Sequence, residues 1–256
     1  MSTIAITRAP SATLAQCQLS FVDPQAIDLA LATAQHQDYC RALGELGCEL
    51  LELPALDAQP DAVFVEDVAL VLDHLAIMTR PGAPSRRPES PTIEAALRTF
   101  RPIVSIQAPG TLDGGDVLRI GNQIYVGLSA RSSPEAIEQL RQLVAAEGYV
   151  VTAVAIRDCL HLKSAVTAVR DDTVLINPAC VDREAFAAYR QIEVDPQEAH
   201  AANTVRIGDR LIYPAGFPRT AQRLQDAGIN LRLVDVSELQ KAEGAVTCCS
   251  LIFSRS

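Results

Sequence analysis

The chain has 256 residues, 48% hydrophobic and 21% charged, with 4% aromatics and a formal net charge of −9. This is the profile of a soluble globular protein with an aliphatic core, in one large domain or two small ones, and its acidity argues against nucleic acid or an anionic membrane as partner. No apolar run approaches the roughly 18 residues of a membrane span, and "MSTIAITRAP" lacks the features of a signal peptide, so a cytoplasmic location is expected.

In chain order, "STIAITRAP" reads as a strand, "IDLALATAQHQDYCRALGELG" as a helix stopped at Gly47, and "CELLELP" as a second strand. "VEDVALVLDHLAIMTR" begins with acids and folds back as a hairpin around Asp73-His74, and "PIVSIQAP" follows as a strand. "LDGGDVLRIGNQIYVGL" repeats the hairpin around Gly121-Asn122. A helix over "SSPEAIEQLRQLVAAEG" comes next, with Ser133 as N-cap, Pro134 in the first turn and Gly148 as stop, and then the strand "YVVTAVAI". "LHLKSAVTAVRDDTVLINP" turns at Arg170 to Asp172 and precedes "RQIEVD". "AANTVRIGDRLIYPAG" turns at Gly208-Asp209 and precedes the helix "FPRTAQRLQDAG" and the strand "NLRLVDV". "TCCSLIFSRS" stops after one strand, for which "STIAITRAP" is the natural partner.

The pattern is one unit, β-β-α-β, repeated. Asp67 to Asp113 is 46 residues, Asp113 to His161 is 48, His161 to Asn203 is 42 and Asn203 to Cys248 is 45. Five such units, closed by pairing the two ends of the chain, predict an α/β fold: a five-bladed propeller with pseudo-fivefold symmetry and no open sheet edge. The residues that start each hairpin then converge on the axis: Glu66 and Asp67, Asp113 and Asp116, His161, Asn203, and Cys248 or Cys249. The competing arrangement is a mixed α/β sheet with these residues scattered.

A cysteine meeting a histidine points to nucleophilic catalysis, with the thiolate as nucleophile and the imidazole as general acid and base. Several carboxylates in the same pocket call for a cation, and a planar guanidinium suits them. The seven cysteines (Cys17, Cys40, Cys48, Cys159, Cys180, Cys248, Cys249) include no C-x-x-C pair, and the four histidines form no H-E-x-x-H motif. A disulfide framework and a structural zinc site are therefore not expected.

Taken together, "FVEDVAL", "APGTLDGGDVL", "LHLKS", "AANTVRI" and "TCCSLI" resemble the dimethylarginine dimethylaminohydrolases of the guanidino-modifying, five-bladed pentein superfamily, over nearly the whole chain. The resemblance implies a single catalytic domain over residues 1–256. It implies hydrolysis of N-omega-methylated arginines to citrulline and a methylamine, without metal or cofactor. It implies Cys248 as nucleophile, His161 as acid and base, and Asp113 as the acid, with Asp113 and Asp67 gripping the guanidinium. Asp61 and Glu66 join the substrate contacts. Arg86 and Arg131 are expected on the substrate carboxylate, and Leu19, in an N-terminal lid, and Ala242 on its amino end through backbone carbonyls. A small-molecule substrate and a homodimer are expected.

Each residue also has a plainer reading. Gly114 and Gly115 could merely form a turn, His161 could be structural, and Arg86-Arg87 could be a solvated pair. Asn203 is read as a structural cap and Asp116 as shaping the site. If "TCCSLIF" begins a strand, Cys248 and Cys249 point to opposite sides, and the resemblance picks Cys248. The rival functions are an arginine or agmatine deiminase and a non-catalytic, ribosome-binding pentein.

Overall fold

The computed structural model describes residues 2–255. Strand β1 (Thr3–Arg8) is followed by helix α1 (Leu29–Glu45) and β2 (Cys48–Leu53). The second unit is β3 (Ala69–Val71), β4 (Ala76–Met78), α2 (Ser90–Leu97) and β5 (Ile103–Ser105). The third is β6 (Val117–Ile120), β7 (Gln123–Leu128), α3 (Pro134–Val144) and β8 (Val150–Ala155). A short helix α4 (Leu162–Ala165) opens the fourth unit, β9 (Val166–Arg170), β10 (Thr173–Ile176) and β11 (Arg190–Glu193). The fifth is β12 (Val205–Ile207), β13 (Arg210–Pro214), α5 (Pro218–Asp226) and β14 (Asn230–Val234). Helix α6 (Ser237–Lys241) then leads to β15 (Leu251–Ser254).

These strands form five three-stranded sheets of one design: an antiparallel hairpin and a third strand parallel to its middle member. The first sheet is closed by the chain's two ends. β15 pairs antiparallel with β1, Ile6 opposite Leu251, and β1 pairs parallel with β2. The pairing anticipated between "STIAITRAP" and the last strand is therefore formed.

Local chemistry explains the connections. Ser133 caps α3 by accepting the Ala136 N–H, and Asp28 caps α1 by accepting that of Leu31. Gly148 and Gly228 lie at φ +77° and +74° beyond α3 and α5, the left-handed conformation that ends a helix and that glycine adopts without penalty. The fourth unit departs from the pattern: between β10 and β11 the described chain makes only a 3₁₀ turn, Arg183–Phe186. Apolar side chains fill five clusters, such as that of Leu72, Ile77, Ile124, Val126 and Leu140. No helix among the described residues is long and apolar enough to cross a membrane.

The segments that open the five hairpins are joined in a closed circuit. The Glu66 N–H donates to the Cys248 carbonyl (3.1 Å), and the Gly115 N–H to Asp67 Oδ1 (2.9 Å). The Leu162 N–H donates to Asp116 Oδ1 (2.9 Å), and Asn203 Nδ2 to the Lys163 carbonyl (3.0 Å). The Thr247 N–H donates to Asn203 Oδ1 (3.0 Å), returning to the first blade. Every blade boundary is thus crossed, so the polar residues predicted to converge do meet around one axis.

Candidate active site

Seven of the anticipated residues line one pocket: Asp61, Asp67, Arg86, Arg131, His161, Ala242 and Cys248. Gln18, Phe64, Leu160 and Glu243 complete it. Its free volume is about 20 Å³, room for a water rather than an amino acid.

Cys248 lies in a turn, and the last strand begins only at Leu251. The alternation of a strand therefore does not separate the two thiols; burial does. Cys248 is partly exposed to the pocket, whereas Cys249 has no exposed surface and packs in the core with Leu43, Val63 and Val246. Burial pushes the Cys248 thiol up to about 12, and the charges of Glu66 and Asp67 push the same way. At neutral pH it is therefore a thiol. Lys163 acts in the opposite direction and is outweighed.

His161 precedes α4, placed by Asp116. That carboxylate is wholly buried, accepts the adjoining Leu162 N–H, and is itself fixed by the Ser129 and Ser132 hydroxyls at 2.5 and 2.6 Å. His161 Nε2 is 3.1 Å from Asp113 Oδ2, and Nδ1 is 4.0 Å from Asp67 Oδ1. One potential ligand atom from each of Asp67, Asp113 and His161 lies within 4.8 Å of the others. Burial by itself would lower the imidazole, but Asp67, the Asp113 hydrogen bond and Asp116 outweigh it and raise His161 to about 9.

The "GGD" glycines are required by space. Neither Gly114 nor Gly115 has positive φ. A Cβ on Gly115 would lie 2.5 Å from His161 Nδ1 and 2.9 Å from Asp67 Oδ1, and one on Gly114 would lie 2.0 Å from the Glu66 carbonyl oxygen. The segment does turn, as a 3₁₀ turn over Gly114–Asp116, but its glycines are required by the close approach of neighbouring blades.

Other expectations are corrected. Asp113 has no exposed surface; its oxygens take His161 and the Gly82 N–H (2.8 Å), and it is not among the residues that line the pocket with Asp67. Glu66 is absent from this pocket. Its carboxylate meets Lys163 Nζ and, at 2.7 Å, Thr247 Oγ1, beside a separate cavity of about 300 Å³ bounded by the first strands of the blades. Arg86 is no solvated cation: it is 5% exposed and donates to Asp67, to both Glu89 oxygens, and to the carbonyls of Asp61 and Phe64. Most of its donors are thus engaged within the protein, while the side chain still lines the pocket. Arg131 is less committed, with Ser20 Oγ at 3.1 Å and Asp113 at 3.8 Å. Leu19 lies in the lid, but its neighbour Gln18 lines the pocket instead. Glu243, which sequence reasoning missed, follows α6 and reaches both the pocket and the lid.

A family model described as arginine deiminase matches residues 54–209. The N(G),N(G)-dimethylarginine dimethylaminohydrolase of Streptomyces coelicolor is 41% identical over 96% of this chain and 95% of its own. The chain belongs to the dimethylarginine dimethylaminohydrolase family. The family member from Pseudomonas aeruginosa is 37% identical over 88% of this chain and 90% of its own. A crystal structure from that organism, a cysteine-to-serine mutant complexed with citrulline, superposes with a TM-score of 0.95 at 35% identity, covering 99% of this chain and all of that one. The chain is a cysteine-dependent hydrolase of pentein fold, and Cys248 and His161 share one pocket.

Proposed function

We propose that the protein hydrolyses N-omega-methylated L-arginine to L-citrulline and dimethylamine or methylamine through a covalent intermediate on Cys248. The observation that carries this reading is the shared pocket of Cys248 and His161, whose other charged walls are Asp61, Asp67, Glu243, Arg86 and Arg131. That balance of charge suits a zwitterion with a cationic tail, and Arg131 favours a ligand bearing a carboxylate.

The resting thiol has a physical remedy. A guanidinium against Asp67 and Cys248 opposes the charges that hold the thiol protonated, so substrate binding itself favours loss of the proton to solvent. The thiolate then bonds to the guanidinium carbon. His161, protonated at neutral pH, gives its proton to the leaving nitrogen, and the carbon–nitrogen bond breaks to release the amine. A thiouronium remains. Neutral His161 next takes one proton from water as its oxygen attacks the same carbon; the carbon–sulfur bond breaks, the oxygen's remaining proton passes to the departing thiolate, and citrulline leaves. Asp113 holds the imidazole throughout, and Asp116 holds the backbone next to it.

Citrulline formation from dimethylarginine, monomethylarginine, arginine and agmatine tests the reading, with Cys248→Ser as control. Methylated arginines should give the highest kcat/KM. Preference for arginine or agmatine would assign the protein to deimination instead.

A further inference from the structure

The backbone amides of the lid are held by carboxylates, while Arg131 donates to Ser20 Oγ (3.1 Å), Ser85 Oγ to Gln18 Oε1 (2.8 Å) and Lys241 Nζ to the Ala26 carbonyl (3.0 Å). No hydrogen bond between backbone groups ties residues 18–27 to the body among the described residues. The Gln18 N–H reaches Asp61 (3.3 Å to each oxygen), and Ser20, Phe21 and Val22 all donate their N–H groups to Glu243 Oε1, Ser20 from 2.7 Å and Val22 from 2.9 Å. Three successive amides converging on one oxygen form an anion-binding nest. The nest is built from the lid, and its anion is a wall of the pocket that holds Cys248.

Two further observations separate Glu243 from an ordinary surface acid. Its other oxygen, Oε2, is buried with no hydrogen-bond partner among the described residues, which is costly for a carboxylate. Its backbone also sits at φ +59°, directly after α6, in a left-handed position where glycine is the usual residue. Local structure gains nothing from a glutamate there, so its side chain is what the position serves.

We propose that Glu243 reads the α-ammonium group of the substrate and couples that recognition to lid closure: Oε1 latches the lid amides while Oε2 accepts the ammonium. The inference rests on the amino-acid substrate argued above. An amine arriving in the pocket completes the half-satisfied carboxylate at the moment the lid seals, so a ligand lacking the amine closes the site less well.

Two variants of the full chain decide it. Glu243→Gly suits the left-handed backbone and removes the latch, and Glu243→Gln keeps an acceptor but loses the charge. Amide hydrogen exchange without substrate should quicken at Ser20 to Val22 by about tenfold or more in Glu243→Gly, at an unchanged or higher Tm. Glu243→Gln should raise KM for dimethylarginine about ten- to a hundredfold with kcat nearly unchanged, the effect of losing one charge-assisted hydrogen bond. It should leave KM for the analogue without the α-amino group unaltered. Unchanged lid exchange in Glu243→Gly would overturn the latch, and an equal rise in KM for both substrates would overturn ammonium recognition. If the wild type turns over no methylated arginine, the proposed function fails and ammonium reading with it, while exchange at the lid still decides the latch.

Discussion

His161 Nε2 lies 3.1 Å from Asp113 Oδ2, and Asp113 has no exposed surface. The carboxylate therefore acts on the imidazole, fixing its orientation and favouring its protonated form. Asp113→Asn removes that charge. The alkaline limb of kcat, set by His161 near 9 in the wild type, should move to lower pH, and kcat should fall by about 10² to 10⁴. A pH–rate profile with the limb unmoved would mean that Asp113 does not govern the acid.

The raised imidazole also affects stability. A group whose folded value lies above its unfolded one stabilises the fold fully below the unfolded value. For His161 the contribution is present below about pH 6.5 and is lost as pH rises through about 9. Asp67 is opposite: burial by itself would raise it, but His161 and Arg86 hold it down at about 2, so its contribution is present above about 3.8 and is lost as pH falls through 2. Urea midpoints between pH 2 and 10 should decline at both ends, and the alkaline decline should be shallower in Asp113→Asn.

Cys248 and Cys249 separate by burial. Cys248→Ala should abolish citrulline formation. Cys249→Ala should keep most of it and lower stability by about 1 kcal/mol through a small core void. The reverse pattern would assign the nucleophile to Cys249.

Iodoacetamide should report the resting thiol. Alkylation of Cys248 should be slow at neutral pH and accelerate with alkali, since burial, Glu66 and Asp67 hold the thiol up to about 12. Glu66→Gln removes one of those charges and leaves Lys163 without its partner, so the rate profile should shift to lower pH. Fast alkylation of the wild type at pH 7 would contradict a resting thiol.

Arg86 is enclosed by Asp67 and Glu89, with all three side chains at most 6% exposed. Arg86→Ala leaves two buried carboxylates without their cation and should cost about 3 to 5 kcal/mol, read from the urea midpoint. Gly115→Ala is a different test. The protein should fold, but displacement of His161 should lower kcat about a hundredfold, with far-ultraviolet circular dichroism unchanged.

Much of this architecture is legible in the sequence because its signals are local. Alternating strands, tight turns and helix stops each report on a few neighbouring residues, and their recurrence every 42 to 48 residues announces five equivalent units. Equivalence then places Asp67, Asp113, His161, Asn203 and Cys248 at one end of a ring. Asp116 and Asn203, read as shaping and capping residues, are two links of the circuit that binds the blades.

The division of labour among the converged groups was not legible, because it depends on distances between blades. Asp67 and Asp113 look alike in sequence, but one faces the pocket beside Arg86 while the other is sealed behind His161. Taken alone, Arg86 beside Arg87 reads as solvated, and only the resemblance places it in the site; it is buried with Asp67 and Glu89 paired to it. Glu243 carries only a faint local mark, an acid where a helix ends next to Gly244, and its meaning requires the lid more than 220 residues earlier in the chain. Local propensity and repetition thus determined the fold and the convergence of Asp67, His161 and Cys248 on one pocket. Which carboxylate is a ligand wall, which an orienting acid and which a latch was decided by tertiary packing, since burial and the charges brought alongside set each group's partners and protonation.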